Sequence, residues 1–190
     1  MKNQKVRLRQ QILKQRKSLS ILQWQSSSQQ ICQNLRNFAL FAEADTVLAY
    51  FCYRQEPDLS SLFQDKRWGF PRCVNNSLIW HLWQPPQILA ANKYNILEPL
   101  ASSEIIQPQE VDLILVPTVA CDYQGYRLGY GGGYYDRLLS SSQWENIPTI
   151  AIVFDFAYLP QLPTETWDIQ LDYICTETAI KSVHKILKKN

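Results

Sequence analysis

Glycine is scarce in this chain, and four of its six glycines fall within five residues, at Gly129, Gly131, Gly132 and Gly133. Glycine permits φ > 0 and lets the backbone approach a ligand closely, so a cluster this dense marks a specialised loop. Its flanks restrict the fold further. Val111 to Val116 (VDLILV) is continuously apolar and ends at Pro117, the pattern of a strand buried on both faces. A helix is predicted from about Tyr134 to Ser140. Strand, glycine loop and helix in that order aim free backbone N–H groups and a helix N-terminus at one point, which suits a phosphate. The loop also falls at the carboxyl end of a parallel strand, where ligands bind in open sheets.

The rest of the chain supports such a sheet. Thr46–Tyr53 (TVLAYFCY) and Pro148–Phe154 (PTIAIVF) read as buried strands, and Asp172–Cys175 as a short final one. Trp68–Arg72 reads as a strand ending at a proline. Ser77–Trp83 is another, with Trp80 and Trp83 on opposite faces and Pro85-Pro86 as its breaker. Helices are predicted over 3–18, over 26–41 with Ile31, Leu35 and Phe38 as the apolar face, and from Pro57-Asp58 through Phe63. A basic amphipathic helix is predicted from Thr178. Strands alternating with helices predict an α/β fold: a three-layer αβα, Rossmann-like arrangement with a mostly parallel sheet and helices on both faces. All 190 residues are expected to form one domain.

Apolar residues make up 46% and charged residues 19%, the balance of an ordinary soluble protein. No apolar run approaches the roughly 18 residues of a membrane helix. The segment MKNQKVRLRQ lacks the apolar core of a secretory signal. A cytoplasmic monomer without a membrane partner is expected. The five cysteines are scattered, odd in number and without a CxxC pair, so reduced thiols are expected and a disulfide framework or zinc site is not.

Charge is unevenly placed. Residues 1–42 hold eight Lys/Arg and no acid, while residues 43–180 hold all seventeen acids and seven basic residues. Such an arm can bind nucleic acid, but no nucleic-acid motif accompanies it, and no nucleic-acid partner is expected. A helix carrying cations to a nucleotide in the same molecule is an equally physical reading. Standard nucleotide motifs are absent. GxGxxG fails at Tyr134, and no Gly-Lys-Ser/Thr occurs. Positive charge at the loop must come from Arg127, Arg137 or a distant segment. Lys5 and Arg9, four apart, leave one helix face together.

The stretch Arg127-Leu128-Gly129-Tyr130-Gly131-Gly132-Gly133-Tyr134-Tyr135-Asp136-Arg137, with Val116-Pro117 and Gly125 before it, resembles the signature of the 5-formyltetrahydrofolate cyclo-ligase family. Weaker motifs agree in order over nearly the whole length. They are Lys5, Leu8, Arg9 and Arg16; Glu56; Pro71-Arg72; Glu98-Pro99; Leu162-Pro163; Asp168; and Thr176-Glu177. The resemblance implies ATP-dependent cyclisation of 5-formyltetrahydrofolate to 5,10-methenyltetrahydrofolate, with Mg²⁺, ADP and phosphate.

On that basis Arg127, Tyr134 and Asp136 are the catalytic candidates. Lys5, Arg9, Arg127, Gly129, Gly131, Gly132, Gly133, Tyr134 and Tyr135 are the candidates for ATP. Glu56, Tyr134 and Tyr135 are the candidates for the folate. A pterin offers a donor edge to a carboxylate, and aromatic rings can line its pocket. Asp136 and Asp168 are the Mg²⁺ candidates, with Asp172 a rival for the second position. The family often has His where this chain has Trp167, so no role transfers there. A different phosphate-binding enzyme, such as a sugar-phosphate isomerase or CoA-transferase-like domain, would explain the loop but not the ordered outer motifs. A binding regulator without catalysis is the third reading.

Overall fold

The computed structural model describes residues 2–64, 66–92 and 95–183. Chain order runs α1 (Lys2–Lys17), α2 (Ile21–Arg36), α3 (Ala39–Glu43), β1 (Thr46–Leu48), β2 (Arg67–Val74), β3 (Ser77–Leu82), β4 (Leu89–Ala91) and β5 (Leu97–Pro99). It continues with β6 (Leu113–Pro117), β7 (Ala120–Asp122), β8 (Arg127–Leu128), α4 (Tyr134–Leu139), β9 (Thr149–Ile152), β10 (Tyr158–Leu159), β11 (Tyr173–Cys175) and β12 (Ile180–Ser182).

Seven strands form the central sheet in the order β12-β11-β9-β6-β1-β2-β3. The inner five pair in parallel, and β3 and β12 close the edges antiparallel. The continuous apolar runs follow from burial on both faces. Val47, Leu113, Leu115 and Ile150 point into one core with Ile31 and Leu35 of α2 and Phe41 of α3. Leu48, Ile114, Val116 and Ala151 point into a second with Ile12 of α1 and Leu138 and Leu139 of α4. That is the period of two that a strand imposes. Trp83 falls in the first core and Trp80 in the second, on opposite faces as expected.

Several elements differ from expectation for local reasons. Helix α2 starts earlier, because Ser20 and Gln23 form a reciprocal capping box, and it ends at Arg36, leaving α3 separate. Strand β2 runs through Pro71. Trp83 N donates to Trp68 O, so alternate residues of β2 face β3 and the nitrogen of Pro71 faces the β1 side. There β1 has already ended at Leu48, so no ladder bond is lost. The segment after Pro57 forms only a 3₁₀ turn, Ser60–Leu62. Strand β1 is shorter than the apolar run that contains it. Residues 180–182 are strand β12 rather than helix, paired antiparallel with β11; the remainder of that predicted helix, 184–190, lies outside the described residues. The hairpin β7–β8 is not anticipated. Asp122 orders it, accepting from the backbone of Gln124, Tyr126 and Leu162 at 3.0, 2.9 and 3.0 Å.

Among the described residues no helix is long and apolar enough to cross a membrane. None of the five cysteines forms a disulfide.

Candidate active site

The strand order reverses between β1 and β6: from β1 the chain proceeds to β2 on one side, while β6 lies on the other. A crevice forms at such a reversal because the connections leave in opposite directions. Here a cleft of about 1070 Å³ opens, reached by the segment after β1, the glycine loop, the start of α4, the cationic face of α1 and residues 165–168. All twelve predicted site residues line it.

The first wall is a tight turn. Arg54 and Gln55 both take left-handed backbone angles, φ 49° and 55°. This costs roughly 1–2 kcal/mol per residue for non-glycine types. The turn returns Glu56 so that its backbone N–H donates to Tyr53 O at 3.1 Å, while its carboxylate accepts from Tyr53 N at 3.1 Å. Trp24 of α2 donates to Glu56 O at 2.8 Å. Glu56 is only 3% exposed. Burial pushes its carboxyl up to about 7, against the opposing pull of Arg16, Tyr53 N–H and the Tyr130 hydroxyl.

The second wall is the glycine loop. Gly131 and Gly133 have φ +103° and +67°, and Gly133 is the left-handed residue that opens α4. Gly132 has no such requirement, but a Cβ there would meet the Tyr134 ring at 3.0 Å. The N–H groups of Gly131, Gly132 and Gly133 donate to no other described backbone group. Tyr134 Oη reaches Asn75 O at 3.3 Å and Arg137 Nε donates to Asn76 O at 2.8 Å, tying the loop to the β2–β3 turn. Arg137 also holds Gly132 O and does not line the cleft. Arg127 Nη2 pairs with Asp136 Oδ1 at 2.9 Å, and its guanidinium stacks 5.3 Å over the Tyr135 ring. Arg127 Nε and Tyr135 Oη are buried polar atoms with no partner among the described residues, and both residues line the cleft. Such atoms are costly unless a ligand satisfies them.

Helix α1 lies along this loop. Lys5, Arg9, Ile12 and Arg16 follow one helical stripe. Lys5 Nζ pairs with Asp168 Oδ2 at 2.5 Å, joining two residues expected to serve phosphate and metal separately. Arg9 Nε donates to Gly129 O at 2.7 Å, and its guanidinium lies 3.6 Å from where a Gly131 Cβ would sit. Burial lowers the Arg9 pKa from its ordinary value. Arg16, 1% exposed, donates to Tyr130 Oη at 3.0 Å and to Thr118 O at 2.9 Å.

Asp168 also accepts from Glu165 N at 2.7 Å, and Trp167 beside it is 63% exposed at the cleft. Asp172 does not join the site. Its carboxylate accepts from Thr149 N and Oγ1 at 2.9 and 2.6 Å, fastening the start of β9. Among the described residues no group of three or more His, Cys, Asp or Glu is gathered. Asp136 and Asp168 nonetheless both bring carboxylate oxygens to the same cleft. That fits Mg²⁺, which takes one or two carboxylates and completes its shell with phosphate oxygens and water.

Two weak sequence motifs meet next to Pro71 and Asn92, which line the cleft. Arg72 Nη1 pairs with Glu98 Oε1 at 3.1 Å, and Asn92 Nδ2 donates to Glu98 Oε2 at 3.2 Å. The sequence reading assigns no role to Arg16 or Tyr130. The spacing of Arg16 from Lys5 and Arg9 was the available signal, since eleven and seven residues keep one helical face.

A mostly parallel α/β sheet with a glycine-walled cleft at its strand reversal defines a ligand-binding enzyme of the open-sheet class. The 5-formyltetrahydrofolate cyclo-ligase family model matches residues 1–177, and the chain belongs to that family. A Haemophilus influenzae 5-formyltetrahydrofolate cyclo-ligase is 29% identical over 173 residues, covering 86% of this chain and 92% of that protein. The Escherichia coli K12 cyclo-ligase is 27% identical over 179 residues, covering 89% and 98%. The solved Aquifex aeolicus 5,10-methenyltetrahydrofolate synthetase superposes with a TM-score of 0.84 at 30% identity, covering 98% of this chain and 96% of that one.

Proposed function

We propose that the enzyme converts 5-formyltetrahydrofolate and Mg-ATP to 5,10-methenyltetrahydrofolate, ADP and phosphate. One observation carries this reading. The cleft joins a cation-ringed loop with unbonded N–H groups to a buried carboxylate at its other wall. The first suits a polyphosphate and the second a pterin donor edge. In this reading the whole chain acts as one three-layer αβα domain, supported by cores on both faces of the sheet.

The formyl oxygen is a poor leaving group. It takes the γ-phosphoryl of ATP, giving an imidate phosphate and ADP. N10 then attacks the activated carbon, the C–O bond to phosphate breaks, and the N10 proton is released as the amidinium ring closes. No protein nucleophile is required. The chain's work is positioning and charge neutralisation. Lys5, Arg9 and Arg127 surround the phosphates, and Gly131–Gly133 present N–H groups. Tyr134 and Tyr135 flank the transferring group. Glu56 accepts from the pterin and fixes its face. Asp136 and Asp168 would hold Mg²⁺, which neutralises phosphate charge when bound.

The test follows the methenyl product's absorbance with 5-formyltetrahydrofolate, with and without Mg-ATP. Product is expected only with Mg-ATP. Full-rate product without ATP, or none with it, refutes the reading.

A further inference from the structure

Among the described residues Arg16 is the most deeply buried basic side chain, at 1% exposure, yet it contacts none of the groups assigned above to phosphate or metal. A buried guanidinium is expensive unless its donors are used. Two of them are: one Nη donates to Tyr130 Oη at 3.0 Å and the other to Thr118 O at 2.9 Å, while Nε has no partner. Thr118 follows directly on β6, and Tyr130 is a member of the glycine loop. The fork of Arg16 therefore ties the segment that leaves β6 to the start of the glycine loop. Having accepted from Arg16, the Tyr130 hydroxyl keeps its own proton to offer, and it interacts with the Glu56 carboxylate. Tyr53 and Tyr130 also meet edge to face, centroids 6.1 Å apart, so the turn that carries Glu56 packs against the same ring.

We propose that Arg16 is a positioning residue that couples the two ends of the cleft: through Tyr130 it locks the glycine loop and Glu56 into one shared arrangement. Resting on the function proposed above, this means that nucleotide in the loop fixes Tyr130, and a fixed Tyr130 presents Glu56 correctly to the pterin. The linkage is reciprocal, so folate likewise tightens nucleotide binding.

The groups facing Glu56 from neighbouring elements are Arg16, Tyr130, Tyr50, Cys52 and Tyr135. Arg16 and Tyr130 favour its ionised form. Folate binding through a carboxylate acceptor weakens as pH falls through the Glu56 titration. Losing either Arg16 or the Tyr130 hydroxyl moves that midpoint upward.

The experiment measures 5-formyltetrahydrofolate binding to the full chain from pH 5.5 to 8.5, with and without Mg-adenylyl imidodiphosphate. In the wild type the nucleotide analogue is expected to tighten folate about fivefold or more. Tyr130→Phe, which removes one oxygen, should reduce that enhancement to within about twofold of none and raise the pH midpoint by about one unit. Arg16→Lys, keeping the charge but not the fork, should lose the enhancement too. If Arg16 variants do not fold, Tyr130→Phe decides alone. Unchanged enhancement and midpoint in Tyr130→Phe overturns the coupling. So does a wild type that cyclises folate normally yet binds it equally with and without nucleotide. A wild type that neither binds nor cyclises folate overturns the assignment of the cleft and the coupling with it.

Discussion

At the residue scale, Glu56 shows how position sets chemistry. A glutamate on a surface loop ionises near 4.5; this one, held under the Arg54–Gln55 turn, is pushed to about 7 by burial. Because its folded pKa is the higher one, the folded state holds the proton more tightly. The stabilisation is complete below the unfolded pKa and is lost as pH rises through about 7. Relative to Glu56→Gln, the wild type is expected to lose about 3 kcal/mol of unfolding free energy between pH 4.5 and 8, with no further change above it. Urea melts across that range check this, and a flat difference would contradict it. Lys5 and Asp168 form the other informative pair, with side chains only 17% and 9% exposed. Removing one partner leaves the other nearly dry and unpaired. Lys5→Met and Asp168→Asn together should therefore destabilise less than the sum of the two alone, with a coupling of about 1–3 kcal/mol in a double-mutant cycle.

At the scale of elements, the glycine loop separates two roles that its composition merges. Gly131 and Gly133 need left-handed backbone, so Gly131→Ala should lower the melting temperature through strain as well as weaken nucleotide binding. Gly132 does not, so Gly132→Val should melt near wild type without ligand while losing the Mg-ATP-induced rise in melting temperature. A Gly132→Val protein that melts far lower but keeps the full shift would show the loop to be only a turn. The loop was legible because four of only six glycines in the sequence fall within five residues. The hairpin β7–β8 beside it was not. Its strands are three and two residues long, and its turn is made by the Asp122 side chain rather than by a distinctive backbone sequence. Likewise β1 ends at Leu48 although its neighbours β2 and β6 run on to Val74 and Pro117, and the apolar pattern itself continues to Tyr53.

At the scale of the molecule, the buried strands were readable one by one, because burial on two faces leaves a continuous apolar run. Their order was not, since strand pairing brings together segments far apart in sequence. The reversal between β1 and β6, which creates the cleft, is a property of that order. Leu113 and Ile150 lie at 0% exposure in its centre. Leu113→Ala should cost about 2–5 kcal/mol by opening a cavity, measured by chemical denaturation, without changing the pH midpoint of folate binding. The site is assembled from the extremes of the chain: Lys5 meets a residue 163 positions later, and Arg9 and Arg16 meet partners 120 and 102 or more positions away. During synthesis α1 emerges well before residues 118–168, carrying a row of cations whose partners lie among them. It must wait until residues 118–168 have left the ribosome before any of those charges finds its partner. Every partial product of translation is thus without a working cleft. The appearance of activity reports not that some part of the chain has folded, but that α1 and residues 118–168 have met.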